Sequence, residues 1–297
     1  MSYQSQFKPG TFAGKVVIVT GGGSGIGRCT AHELSALGAQ VVLVGRKVEK
    51  LQAVAAELQA DNPATPSPSW HVCDIRQEAT VQATVAAVMA QHGRIDGLVN
   101  NAGGQYVAPL EKIGLKGWDA VVASNLTGGF LMARECYSQW MGQHGGAIVN
   151  VVADFWGSMP GMGHSGAARA GMVSFTETAA VEWAHSGVRS NAVAPGYIAS
   201  SGMDHYPPEM ADKLRANRYN VPLGRYGNEA EVSAGIVFLL SPAASFISGT
   251  VLRIDGARPQ MRHGWGAVHA QGEALEREAI QPFGGFHRYV GPKVFQD

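Results

Sequence analysis

The 297-residue sequence lacks several features that mark broad classes of protein. Its 23 Lys and Arg residues balance 23 Asp and Glu residues, so there is no basic excess of the kind that nucleic-acid binders carry. No apolar run approaches the roughly 18 residues of a membrane span. Residues 1–15 contain no apolar core of a signal peptide. We therefore expect a soluble, cytoplasmic protein without nucleic-acid or membrane partners.

Cysteine is scarce, and the common metal-binding patterns are missing. The three cysteines, Cys29, Cys73 and Cys136, are odd in number and widely separated, so no disulfide framework is implied. The ten histidines form no H-E-x-x-H motif and no close pair with a cysteine. The sequence therefore predicts no metal site.

Short β-branched runs alternate with segments of helical spacing along most of the chain. Near-continuous apolar character predicts parallel strands that are covered on both faces. Strict alternation of strand and helix indicates a doubly wound α/β sheet. No Pro/Gly/Ser-rich linker divides the chain, which predicts one domain. The predicted strands lie at 15–20, 40–45, 70–74, 95–100, 147–152, 188–195 and 250–255.

Two segments depart from this alternation. Residues 199–227 carry prolines, charges and tyrosines, and we expect them to form an insertion over a substrate site. Residues 257–297 show no clear period. Their composition is compatible with a lid, an oligomer arm or a partly disordered segment, so the main domain is assigned to residues 1–256.

A glycine-rich motif, TGGGSGIG at 20–27, joins the first predicted strand to the first helix. Gly21, Gly25 and Gly27 permit a tight turn and close approach of the backbone to a pyrophosphate at a helix N-terminus. The strand-turn-helix context predicts a dinucleotide site, with Ser24 and Ile26 also at the cofactor.

The residue after the second strand indicates which dinucleotide is bound. An acidic residue there would hold the ribose 2′-hydroxyl of NAD, whereas an arginine accommodates the 2′-phosphate of NADP. Here the strand ends at Gly45, and Arg46 and Lys47 follow. A guanidinium can bind a phosphate with two charged hydrogen bonds, which favours NADPH. The alternative is that Arg46 and Lys47 only begin a solvated helix face.

The ordered motifs together resemble the short-chain dehydrogenase/reductase family. They are TGGGSGIG (20–27), CDI (73–75), LVNNAG (98–103), Asn125, NAVAPG (191–196) and IDG (254–256). The resemblance covers about residues 12–256. It implies a single-domain Rossmann fold with a doubly wound seven-stranded parallel sheet, assembled as a homodimer or homotetramer.

The resemblance also implies roles for individual residues. Asp74 would contact adenine, and Asn125 would be the catalytic asparagine, holding a water in a distorted helix. The remaining cofactor residues would be Asn101, Ala102 and Gly103 on the adenosine side and Pro195, Gly196 and Ile198 on the nicotinamide side.

The chain departs from the family where the catalytic pair is expected. The family has a serine after its fifth strand and then Tyr-x-x-x-Lys. Here Ala153 or Asp154 takes the serine position, Ser165 the tyrosine position and Arg169 the lysine position. No tyrosine lies between residues 137 and 197, so the usual proton donor is missing.

This absence favours one type of reduction over another. Reducing a ketone requires a proton on oxygen, and a serine hydroxyl is too weak an acid to replace a phenol. Reducing the C=C bond of an enoyl thioester places hydride on the β-carbon and the proton on the α-carbon, so the oxygen needs only hydrogen bonds. Ser165 and Asn125 could donate them. Arg169 follows Ser165 by one helical turn and could hold the nicotinamide ribose.

A closer resemblance indicates the same chemistry. LVNNAGGQYVAPLE (98–111), HSGAARAGM (164–172) and SPAASFISGTVLRIDG (241–256) resemble the family branch that reduces trans-2-enoyl-CoA and 2,4-dienoyl-CoA. This implies an NADPH-dependent enoyl-CoA reductase of fatty acid metabolism with an acyl-CoA-type substrate. The sequence ends VFQD rather than with a peroxisomal tripeptide, so we expect a cytoplasmic location.

Other assignments remain open at this point. A carbonyl reductase or hydroxy dehydrogenase would need His164, Tyr106 or Tyr197 as its acid, and Asp154 could orient a donor or a water. A non-catalytic NADP-binding protein is a third alternative. Four basic residues in or near the insertion could meet coenzyme A phosphates or lie on a solvated face: Lys213, Arg215, Arg218 and Arg225.

Overall fold

The computed structural model describes residues 3–206, 208–260 and 281–296. Within these ranges the strands form one parallel sheet in the order β3-β2-β1-β4-β5-β6-β7. The strands are β1 (Val16–Thr20), β2 (Gln40–Gly45), β3 (Ser69–Val72), β4 (Gly97–Asn100), β5 (Gly146–Val151), β6 (Val188–Pro195) and β7 (Val251–Ile254).

Helices follow most of the strands and cover both faces of the sheet. They are α1 (Gly25–Ala36), α2 (Val48–Asp61), α3 (Glu78–His92), α4 (Leu115–Val122), α5 (Gly128–Cys136), α6 (Gly142–His144), α7 (Gly163–Glu182), α8 (Ala211–Ala216) and α9 (Glu229–Leu240). The predicted fold class, a single-domain Rossmann fold with a doubly wound seven-stranded parallel sheet, is confirmed.

β1, an interior strand of the sheet, shows why the strand sequences are continuously apolar. Val17 and Val19 of β1 pack into one hydrophobic cluster, whereas Val16 and Ile18 pack into another. Successive side chains of a strand point to opposite faces, so each face of the sheet has its own core. A strand buried on both faces must be apolar at every position.

The segment of helical spacing at 116–142 does not form one continuous α-helix. α4, α5 and α6 are joined by two π-helical turns, Ala123–Thr127 and Tyr137–Met141. Such turns carry wider backbone hydrogen bonding and occur often at functional sites. The helix is therefore distorted at Asn125, as the family resemblance implies.

The strand order indicates where on the sheet a ligand would bind. β1 is flanked by β2 on one side and by β4 on the other, so the chain winding reverses there. Parallel strands end at the same edge of the sheet, and ligands bind in the crevice outside the carboxyl ends at this reversal. The insertion 199–227 begins where β6 leaves this edge and contains α8, a helix that the sequence pattern does not predict.

The predicted extension is described only in part, because residues 261–280 lie outside the described residues. Residues 281–296, here called the C-terminal strap, pack back onto the domain. Asn228 Nδ2 donates to the Phe283 carbonyl at 2.8 Å, and Arg288 pairs with Asp61 at the end of α2. The strap also reaches the insertion, since the Arg215 guanidinium donates to the Val294 carbonyl at 2.8 Å.

Candidate active site

The glycine turn forms a close-packed cradle at the start of α1. Gly21 has φ +66° and Gly25 has φ +57°, a region that residues with a side chain rarely adopt. A Cβ added at Gly27 would collide with the Gly21 carbonyl and lie 2.5 Å from Asn101 Nδ2. Ser24 is exposed and precedes the first residue of α1, with Ile26 half-buried beside it. A glycine turn that opens a helix in this way suits a pyrophosphate.

The neighbouring strand exit is tied to this turn through Thr20. The Thr20 hydroxyl accepts from the backbone N–H groups of Asn101 and Ala102, each at 3.0 Å. The Asn101 side chain donates to the Thr20 carbonyl at 3.0 Å. The expected adenosine-side residues therefore lie directly beside the glycine cradle.

The end of the site where adenosine is expected carries an exposed cation and a paired carboxylate. Arg46 is exposed at the end of β2. Asp74 accepts from the Arg76 guanidinium at 2.8 and 2.5 Å, and this pairing lowers the pKa of Asp74. Arg46 also faces Asp74, so the position expected at the adenine is ionised and surrounded by positive charge.

Asn125 is buried in the π turn and anchors the loop after β4. Its Oδ1 accepts from the Gly104 N–H at 3.1 Å, and its Nδ2 donates to the Gly104 carbonyl at 2.6 Å. A Cβ at Gly103 would collide with this amide. One Nδ2 hydrogen remains for another partner, because a primary amide has two donors.

Ser165 is fully buried at the start of α7, and Gln105 covers its hydroxyl. Ser165 Oγ donates to Gln105 Oε1 at 2.6 Å, and Gln105 is itself exposed to the crevice. The Ser165 backbone N–H donates to His164 Nδ1 at 2.9 Å. The only sequence signal for Gln105 is its position directly after the NNAGG run at 100–104.

Arg169 lies one turn further along α7 and faces the same loop. Its Nη1 donates to the Val151 carbonyl at 2.6 Å, and a Cβ at Gly103 would lie 2.8 Å from its Nη2. Burial lowers the pKa of Arg169 to about 10, so it stays protonated at neutral pH. The loop at residues 103–105 thus brings together Asn125, Ser165 and Arg169.

Asp154 makes its contacts elsewhere, at the exits of β6 and β7. Its Oδ2 pairs with Arg258 at 2.9 Å, and its backbone N–H donates to the Pro195 carbonyl at 3.1 Å. Gly196 N–H donates to the Ile254 carbonyl at 2.9 Å, and a Cβ at Gly196 would lie 2.7 Å from Asp255. Burial raises the pKa of Asp154, and Arg258 opposes this shift.

The two alternative tyrosine donors pack against other groups, whereas His164 Nε2 is buried without a hydrogen-bond partner among the described residues. The hydroxyl end of Tyr106 lies against Gly117, and its ring meets His164 edge to face at 4.5 Å between centroids. The Tyr197 ring lies under the Arg258 guanidinium at 4.6 Å. Within the described residues, no tyrosine hydroxyl bonds to Ser165 or Arg169.

Ile198, expected at the nicotinamide, and two basic residues of the insertion make contacts within the protein. Ile198 forms a bridge with Gly227, which closes the base of the insertion. Arg225 pairs with Glu231 at 2.7 Å, and Arg215 contacts the strap. The described part of the chain contains no group of three or more His, Cys, Asp or Glu that could hold a metal, and no helix there is long and apolar enough to cross a bilayer.

Similar proteins share this architecture. A family model described as Enoyl-(Acyl carrier protein) reductase matches residues 21–257. A probable 2,4-dienoyl-CoA reductase of Bacillus subtilis strain 168 is 36% identical over 247 residues, which is 82% of this chain and 96% of the relative. A D-threitol dehydrogenase of Mycolicibacterium smegmatis is 37% identical over 246 residues, 82% of this chain and 92% of the relative.

A solved structure is similar at higher identity. The citronellol catabolism dehydrogenase AtuB of Pseudomonas aeruginosa PAO1 is 58% identical, with a TM-score of 0.78 over 87% of this chain and 100% of that one. The glycine cradle and the crevice define an oxidoreductase that uses a nicotinamide cofactor. The chain belongs to the short-chain dehydrogenase/reductase family.

Proposed function

We propose that this enzyme is an NADPH-dependent reductase of the C=C bond of an enoyl-CoA thioester. When bound, the cofactor would supply a hydride to the β-carbon of a trans-2-enoyl-CoA or to the δ-carbon of a 2,4-dienoyl-CoA, and water would supply the proton that the carbon chain then takes up. The glycine cradle would hold its pyrophosphate, Arg46 its 2′-phosphate and Arg169 its nicotinamide ribose. The substrate would be a trans-2-enoyl-CoA or a 2,4-dienoyl-CoA, as the printed name of the Bacillus subtilis relative suggests.

The observation that carries this proposal is the pairing of Ser165 with Gln105. At the position of the family's phenol, the chain has a buried hydroxyl that points its hydrogen at an exposed amide oxygen. Such a pair cannot release a proton to an alkoxide near neutral pH. It can fix the amide N–H donors of Gln105 toward the crevice.

Fixed amide donors suit an enolate. When hydride reaches the β-carbon, negative charge develops on the thioester oxygen, and preoriented N–H groups stabilise it. The free Nδ2 hydrogen of Asn125 can add a second donor. Arg169 keeps a positive charge within the same cluster, which also favours the developing anion.

The test measures NADPH oxidation with a series of thioesters from crotonyl-CoA to decenoyl-CoA and a 2,4-dienoyl-CoA. We expect a saturated or once-reduced acyl-CoA product, identified by mass. Arg169→Met should lower kcat by about a hundredfold, because it removes charge stabilisation of the enolate. Arg169→Lys, which keeps the charge, is the matched control. Failure to reduce any of these thioesters would contradict the proposal.

A second candidate is a dehydrogenase or carbonyl reductase, and the 58% identity to a citronellol catabolism dehydrogenase favours it. It would interconvert an alcohol and a carbonyl compound with His164, Tyr106 or Tyr197 as the acid. Citronellol and citronellal are therefore assayed beside the thioesters. Turnover of these alone, abolished by Tyr106→Phe or Tyr197→Phe, would establish this candidate.

The third alternative from the sequence, a non-catalytic NADP-binding protein, is not proposed, because the chain belongs to a family of oxidoreductases.

A further inference from the structure

A charged cluster joins the exits of three strands outside the Ser165 cluster. We call Asp154, Tyr197 and Arg258 the exit clamp. Arg258 Nη1 donates to Asp154 Oδ2 at 2.9 Å, and the same guanidinium lies 4.6 Å from the Tyr197 ring centroid. The Asp154 backbone N–H donates to the Pro195 carbonyl at 3.1 Å. One arginine therefore holds the ends of β5, β6 and β7 together.

The clamp contains a carboxylate that is poorly solvated. The Asp154 side chain is 6% exposed, whereas that of Arg258 is 35% exposed. Asp154 Oδ1 is buried and has no hydrogen-bond partner within the described residues. A buried charge with an unbonded oxygen is costly unless a nearby opposite charge offsets its desolvation. Arg258 is the side chain that does so directly.

Three charged groups face Asp154 from the neighbouring elements. Burial raises the pKa of Asp154, and Asp255 raises it as well, whereas Arg258 and Arg253 lower it. Arg253 lies at 4.1 Å over the Trp156 ring, so it is already engaged in another contact. Removing Arg258 would leave the carboxylate without a direct partner and would raise its pKa further.

We propose that Arg258 is a positioning residue whose ion pair with Asp154 holds residues 195–198 in place at the expected nicotinamide side of the cofactor site. Asp154 is then an anchor rather than a proton donor, because an ion-paired carboxylate carries no proton to give. This inference concerns cofactor binding and does not depend on which substrate is reduced.

The experiment compares Arg258→Met with the wild type by NADPH fluorescence titration between about pH 5.5 and pH 8.5. At the lower pH the unpaired carboxyl can take up a proton and remain buried. At the higher pH it must ionise without a partner, and residues 195–198 should move. We expect the ratio of variant to wild-type dissociation constants to rise from below about threefold to above about tenfold.

Two further variants distinguish a charge effect from a loss of packing. Arg258→Lys keeps the cation, and Asp154→Asn/Arg258→Met removes both charges, so each should show a ratio that does not change with pH. A variant that unfolds only at high pH, and is rescued by the double substitution, also supports the clamp. A pH-independent ratio for Arg258→Met, or a pH-dependent one for the double variant, would overturn it. Because binding is measured, a failed thioester assay leaves this test intact.

Discussion

The hydroxyl of Ser165 lies 2.6 Å from the amide oxygen of Gln105, a residue sixty positions earlier in the chain. The buried hydroxyl has its hydrogen occupied, and the exposed amide turns its N–H donors away from Ser165. Gln105, rather than Ser165, is therefore the group of this pair that can reach a substrate.

Gln105→Leu should lower kcat for the accepted thioester by about a hundredfold, the usual effect of losing one donor to a developing oxyanion. Ser165→Ala should cost about tenfold or less, because it only releases the Gln105 side chain. Gln105→Asn keeps an amide and is the control. Steady-state kinetics give both values, and a larger loss in Ser165→Ala than in Gln105→Leu would contradict this order.

Arg46→Asp should reverse the cofactor preference. The new carboxylate would repel the 2′-phosphate of NADP and accept a hydrogen bond from the 2′-hydroxyl of NAD. The ratio of kcat/KM for NADPH to that for NADH should fall by about a hundredfold or more. Lys47→Asp is the matched control, since equal and small effects at both positions would mean that they only begin a solvated helix face.

Arg288→Gln should destabilise the fold by removing the hydrogen bonds that the strap makes to Asp61 of α2, which also lies 3.2 Å from His32 and from His287. The Asp61 side chain is only 4% exposed and accepts from Arg288 at 2.8 Å. Losing one partner of a buried acceptor costs about 1–3 kcal/mol. Urea unfolding measures the resulting loss in the free energy of unfolding. Arg94→Gln is the comparison and should cost less, because Asp96 keeps its bonds to Lys15 and to a backbone N–H.

Glu229 should make stability fall as the pH rises. Burial beside the glycine turn raises its pKa from 4.5 to about 7. Between these values the folded protein holds a proton that the unfolded chain has released, so folding weakens as the pH increases. Glu229→Gln should therefore be more stable than the wild type at about pH 8, by up to about 3 kcal/mol, and nearly equal at about pH 4.5. Thermal unfolding at both pH values measures the difference in stability between Glu229→Gln and the wild type. An equal difference at both pH values would contradict the linkage between stability and the Glu229 proton.

The order of elements follows from local sequence. Seven apolar runs predict the seven strands of the sheet, because a parallel strand covered on both faces must be apolar throughout. The boundaries agree within a few residues. The π turn at Asn125 and the short helix α8 carry no such periodic pattern, and only the first was expected, from the family resemblance.

The site could be predicted in part for the same reason. A tight turn is predicted by Gly21, Gly25 and Gly27, because a side chain does not fit there. The sequence also shows directly that no tyrosine lies between residues 137 and 197. The sequence does not show which side chains take the place of that tyrosine at the site. Ser165 was expected to face the substrate, yet the structure buries it behind Gln105.

Local pattern therefore decides which residues form strands, helices and the glycine turn, since these depend on neighbours within a few positions. The pairing of Ser165 with Gln105, of Asp154 with Arg258 and of Asp61 with Arg288 joins residues that are 60, 104 and 227 positions apart. Such contacts arise only when parallel strands bring their carboxyl ends to one edge and the strap returns to the domain. Tertiary packing thus determines which polar groups are exposed at the crevice and which are buried and hold those exposed groups in position.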